Sequence, residues 1–120
     1  MKDNLVRDKS FAFALRVVRL ARYLETERRE FVVSRQVLRS GTAIGALVRE
    51  AEHAESKADF VHKMNIALKE ANETLYWLDL LHQGDYIDSQ SFKSIGADSE
   101  ELVKLLIAIV KTSKVKKHSE

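Results

Sequence analysis

The chain has 120 residues, 45% hydrophobic and 32% charged, which fits one domain with a real core rather than a disordered polymer. Cysteine and proline are absent and glycine occurs only four times, so disulfide scaffolds, thiolate zinc sites and cysteine nucleophiles are excluded and nothing interrupts long helices. Net charge is +2, yet residues 1–40 hold ten Lys/Arg against five Asp/Glu, residues 41–101 five against twelve, and residues 102–120 five against one. Such asymmetry fits either a nucleic-acid-facing side or complementary charges that meet within the fold or between subunits. The opening MKDNLVRDKS lacks an apolar signal region and no apolar run is long enough to cross a bilayer, so a cytoplasmic protein without a membrane partner is expected.

Helical periodicity predicts four segments, at about 8–27, 33–53, 57–83 and 88–114, followed by a basic frayed tail at 115–120. In the first, Phe13, Val17, Leu20 and Leu24 form a core seam, while Phe11, Leu15 and Val18 form a second apolar strip on another side. Two strips on one helix suggest burial against a second partner, such as another subunit. Arg16, Arg19 and Tyr23 share one side, and the charged run Glu25–Glu30 holds the turn.

The second helix has Ser34 as candidate cap and Val33, Val37, Ile44, Leu47, Val48 and Ala51 on one face. Arg35, Arg39, Thr42, Ala46, Arg49 and His53 fall together on the opposite side, a basic ridge with small residues at its centre. Gly41 and Gly45 lie one turn apart on its flank. Each costs about 1 kcal/mol relative to alanine in a helix interior, and close approach of a neighbouring backbone is the compensation expected. No strand precedes these glycines and no lysine follows them as a phosphate loop requires, so they are read as packing residues.

Ser56 and Asp59 approximate a capping box for the third helix, whose core stripe is Phe60, Met64, Ala67, Leu68, Ala71, Leu75, Leu78 and Leu81. Ile66, Trp77 and Leu80, with Tyr76 beside them, fall outside that stripe and, with Phe11, Leu15 and Val18, argue for self-association. Glu70, Asn72 and Glu73 read as solvated or inter-subunit positions. Gly84-Asp85 is a stop signal. In the fourth helix Phe92, Ile95, Leu102, Leu106 and Ile109 keep helical spacing, with a break near Gly96-Ala97-Asp98 as an alternative. The expected fold is all-α, an antiparallel up-down-up-down four-helix bundle.

Four histidines are present, and Glu50-Ala51-Glu52-His53 and Asp59-Phe60-Val61-His62 imitate the Glu-x-x-His spacing of carboxylate-bridged di-iron bundles. Glu50 and His53 project from the polar side of their helix, and Asp59 and His62 lie off the apolar face of theirs, whereas metal ligands would point inward. No Ser, His and acid group stands in a hydrolase motif. Neither catalysis, nor a metal, nor a cofactor is expected.

The run SGTAIGALVREAEHAESKADFVHKMNIALKEANETLYWLDLL resembles the signature of the bacterial 23S rRNA intervening-sequence (S23) family of four-helix-bundle proteins. Glycine spacing, the Glu-Ser-Lys joint, the Asp-Phe pair and the Glu-Thr-x-Tyr-Trp run occur together and in order, and the likeness covers most of the chain. It implies a cyclic homo-oligomer, typically a pentamer. The accessory proteins of diversity-generating retroelements are similar to this family and imply nucleic-acid binding through a basic surface. The chain departs from the family at Ala43 and Leu47, where members commonly carry Ser and Asn.

Two readings follow. In one, the protein is an oligomer that binds nucleic acid, RNA before DNA, with Arg16, Arg19, Arg35, Arg39 and Arg49 as phosphate contacts repeated in each subunit. In the other, it is an oligomeric scaffold for another protein, and the arginines pair with the acidic middle region of neighbouring subunits.

Overall fold

Charged and small residues segregate from aliphatic ones with helical spacing along the whole chain, and four helices result: α1 (Lys2–Glu27), α2 (Val33–Ala51), α3 (Lys57–Gln83) and α4 (Ser89–Ser119). The computed structural model describes residues 2–119, and side chains from 5 to 114. Among the described residues there is no strand. α1 packs on α2, α2 on α3 and α3 on α4, while α4 touches α1 more sparingly; α1 and α3, like α2 and α4, stand diagonally. The body measures 52 × 22 × 21 Å, so its long dimension is set by helix length.

Each helix contributes one stripe to a shared core. Phe13, Val17 and Leu24 from α1 meet Val37, Ile44 and Val48 from α2, Met64, Ala67 and Leu78 from α3, and Leu102, Leu106 and Val110 from α4. Val110, outside the expected stripe of α4, belongs to this core, and Ile109 packs at its edge. One buried polar contact crosses it, with Thr74 Oγ1 lying 2.8 Å from Ser40 Oγ. At Gly41, α1 packs tightly against α2. A Cβ built there would lie 2.8 Å from both Cγ atoms of Val17, so a side chain would force the helices apart. At Gly45 the nearest atoms, of Ser10, stand at an ordinary 3.5 Å.

The helix ends explain where the chain turns. α3 stops in a Schellman arrangement, and α1 stops in a wider loop closed one residue further back. Glu30 N–H donates to the Leu24 carbonyl at 3.0 Å and Tyr86 N–H to the Leu81 carbonyl at 2.8 Å. The left-handed residue is Arg29 (φ 54°) in the first and Asp85 (φ 65°) in the second, not Gly84. Ser34 does not cap α2. It is buried inside the helix and its hydroxyl donates to Glu25. The capping role falls to Glu30, whose carboxylate accepts from Val33 N–H at 3.1 Å and Ser34 N–H at 2.7 Å. A carboxylate at the positive helix end is favourable for the same reason a serine cap is. At α3 Ser56 Oγ caps the helix by accepting from Asp59 N–H at 3.0 Å, and Asp59 reaches back to the N–H of Glu55, one residue before the cap.

α4 is continuous through Gly96, so no break occurs near Ala97 and Asp98. Ile95 and Leu102 are both buried and hold the two sides of the glycine to the same core. α1 begins at Lys2 rather than near Asp8, and α2 ends at Ala51, two residues before His53. The side chains of the basic tail 115–120, expected to fray, lie outside the described residues.

Asp88 starts α4 by accepting a hydrogen bond from Ser91 N–H at 2.7 Å. That bond, together with the Ser91 side chain, holds its pKa below the ordinary 3.8. A folded-state pKa below the unfolded one stabilises the fold above the unfolded value, and this is lost as pH falls through the folded value. The gap in Tm between the parent protein and Asp88→Ala is therefore expected to be widest above about pH 4 and to close in stronger acid. Thermal melts at pH 7 and pH 2 check it; a constant gap contradicts the assignment.

Candidate nucleic-acid interface

The arginines expected on one ridge are divided by the fold. Arg39 turns to α3, where it hydrogen-bonds Glu70 at 3.2 and 3.3 Å and pairs with Glu73. Trp77 Nε1 donates to the same Glu73 carboxylate at 2.8 Å. The Trp77 bond and then Arg39 hold the Glu73 pKa below its ordinary value, and Glu73 raises that of Arg39. Glu70 and Glu73 are thus ion-paired within the chain rather than simply solvated. Arg16 turns to α4, bonding Asp98 at 2.6 Å, the Ser94 carbonyl at 3.2 Å and Ser94 Oγ at 2.9 Å. It joins α1 to α4 beside a second link, Lys9 to Glu101 at 2.6 Å. Arg49 lies over the Phe11 ring, 5.4 Å from its centroid. Arg19 and Arg35 are exposed and carry no ion pair among the described residues.

Two further arginines, Arg22 and Arg29, are likewise exposed without an ion pair among the described residues, and the sequence reading did not single them out. With Arg35 they stand around the α1–α2 turn. Its geometry is fixed by Arg28, which donates to the Asp85 carbonyl at 2.9 Å and the Tyr86 carbonyl at 3.0 Å and covers the Tyr86 ring at 5.0 Å. This clasp ties the α1–α2 turn to the α3–α4 turn. Beyond it, Phe31 is 42% and Val32 72% exposed. Helical periodicity cannot reveal two apolar side chains in a turn; the one sequence signal was a Phe-Val pair following a charged run. The turn therefore joins free cations to an exposed aromatic ring, which suits phosphate contact and base stacking.

Of the residues expected at an oligomer interface, Phe11 (52%), Leu15 (43%) and Val18 (37%) are exposed along α1, and Leu80 (41%) with Tyr76 (57%) along α3. Ile66 is half-buried, and Trp77 packs against the core edge with Tyr76 edge-on at 5.0 Å. A groove of about 310 Å³ runs between α1 and α2, bounded by Phe11, Ala14, Thr42, Gly45 and Ala46 with Arg7 and Arg49 on its rim. Another of about 340 Å³ lies between α1 and α4 on a floor of Leu20, Ile87 and Ile95. Glu50 is committed to Lys63 at 2.9 Å and His53 and His62 are exposed beside the α2–α3 joint. Among the described residues no group of three or more His, Asp or Glu is placed to hold a metal ion.

The family described as 23S rRNA-intervening sequence protein matches residues 2–108. The chain belongs to this family. It is also similar to a solved member of the S23 ribosomal protein family, a protein with unknown function from Bacteroides thetaiotaomicron. The two are 59% identical, with a TM-score of 0.91 over 92% of this chain and 99% of that one. No curated protein matches the chain. No helix is long and apolar enough to cross a membrane among the described residues. The S23 match covers α1 through most of α4, so the turn arginines and both exposed apolar strips lie inside the family region.

Proposed function

We propose that this S23-family protein is a non-enzymatic, cytoplasmic homo-oligomer, a pentamer as the resemblance implies, that binds RNA through arginines at the α1–α2 turn. The observation that carries the reading is the grouping of exposed, ion-pair-free Arg22, Arg29 and Arg35 with exposed Phe31 at one end of the molecule. Arg19 extends the same charge along α1, whereas Arg16 and Arg39 serve the fold. The family's name, which refers to an rRNA element, favours RNA over DNA. Repeating one modest patch around a ring raises avidity without new contacts.

The bundle in this reading is antiparallel up-down-up-down. Arg7 near the start of α1 meets Glu52 just past the end of α2 at 3.8 Å, while Ser34 at the start of α2 meets Glu25 near the end of α1 at 3.3 Å. Arg39 with Glu70 and Lys63 with Glu50 relate α2 to α3 in the same way.

Titration with a structured RNA at two salt concentrations tests the function. Replacing Arg22, Arg29 and Arg35 together by glutamine is expected to weaken binding at least tenfold and to lower the salt slope by about 2–3, roughly 0.7–0.9 for each of the lost phosphate contacts. Arg39→Gln is expected to leave the slope unchanged. Parent-like binding by the triple variant, or binding that ignores salt, contradicts the assignment and favours the protein scaffold.

A further inference from the structure

We propose that the exposed strip of α1 in one copy is the seat for the exposed stripe of α3 in the next, so that copies join through two unlike faces. This rests on the homo-oligomer of the preceding reading and names the surfaces that build it. α1 and α3 are diagonal in the fold, and the strip on each is exposed. A two-fold contact that buried Phe11, Leu15 and Val18 against themselves would leave Tyr76 and Leu80 in water, and the converse holds. One head-to-tail contact covers both.

Charge agrees with that pairing. Beside the α1 strip stand Arg49, which lies over the Phe11 ring, and Arg7, which is loosely paired with Glu52 at 3.8 Å. Beside the α3 stripe, Glu70 and Glu73 share the single guanidinium of Arg39, and Asp79 is exposed without an ion pair among the described residues. The seat also has a shape. Gly45 lines the groove next to Phe11, yet an added Cβ there would make only ordinary contact with Ser10. Glycine in a helix interior is costly relative to alanine, and the chain's own packing does not require this one. A neighbouring side chain entering the groove does. Tyr76, the most exposed ring of the chain and braced edge-on by Trp77, is the knob, with Leu80 one turn further along α3 against Leu15 and Val18. Aliphatic Leu15 and Val18 give a nucleic acid nothing to hydrogen-bond, which favours a protein surface here and leaves RNA to the turn.

Light scattering after size exclusion decides it, using Leu15→Asp, Leu80→Asp and their equimolar mixture, each checked for helix content by circular dichroism. The parent protein is expected to run as several chains and each variant as one chain of 13.7 kDa. The mixture is expected to double that mass, because Leu15→Asp keeps a working α3 stripe and Leu80→Asp a working α1 seat. Val18→Asp and Tyr76→Asp replace either variant that loses helix content. A monomeric parent overturns the oligomer reading beneath this proposal. An assembling parent with a variant of unchanged mass, or two monomeric variants that stay apart on mixing, overturns the pairing alone. Loss of RNA binding at unchanged mass in Leu15→Asp would make the strip a nucleic-acid surface and overturn it too.

Discussion

Gly41→Leu is expected to destabilise the fold by about 3 kcal/mol, the upper part of the range for overpacking a core. The opposing surface is Val17, whose two methyls would lie 2.8 Å from the new Cβ, and a β-branched side chain with one favoured helical rotamer cannot swing clear. Val17 is also fully buried, so motion away from α2 would drive it into the rest of the core. Gly41→Ala meets the same clash but recovers about 1 kcal/mol of helix propensity, leaving a net loss of about 1 kcal/mol. Gly45→Ala is expected to go the other way and stabilise the separated chain by up to about 1 kcal/mol. Urea denaturation of the three variants checks this. Equal responses at the two glycines would contradict the close approach of α1 to α2 at Gly41.

Phe13→Ala is expected to cost about 3–5 kcal/mol, because a fully buried ring leaves both lost burial and a cavity that the surrounding helices fill only in part. Against a total stability of roughly 5–15 kcal/mol, that loss places the variant near its unfolding threshold. Phe11→Ala, two residues away, is expected to leave the chain folded and to change the mass of the assembly instead. Two residues along a helix is a rotation of about 200°, which puts the two rings on opposite sides of α1. Denaturation midpoint and molar mass together distinguish them; a large stability loss in Phe11→Ala without a change in mass would contradict this division of labour.

The helices were legible because their boundaries are written in local chemistry. Ser56 with Asp59 and the Gly84-Asp85 stop each act within one turn of the chain. What sequence spacing left open depends on the partner across an interface. A helical wheel places Arg35, Arg39 and Arg49 on one side of α2, but Arg39 reaches Glu70 and Glu73 on α3 while Arg49 lies over Phe11 on α1. Long flexible side chains follow the nearest opposite charge or ring, and that is set by the register of neighbouring helices. Arg16 shows the same effect, since Asp98 lies 82 positions away in the chain. Ser34 looked like a cap because of its type, yet Glu30, with a longer carboxylate arm, satisfies the same backbone donors. Gly41 and Gly45 were indistinguishable by spacing, and only Val17 separates them. The turn carrying Phe31 and Val32 has no periodicity to read. The free arginines around it became recognisable only once Arg16 and Arg39 were seen to be engaged elsewhere.

Salt-sensitive RNA binding by the assembled protein is read from a plot of log K against log salt for two structured RNAs of unrelated sequence. Steep, nearly parallel lines are expected, the mark of several phosphate contacts made without base readout. A flat line, or no binding at low salt by protein shown to be assembled, would contradict it.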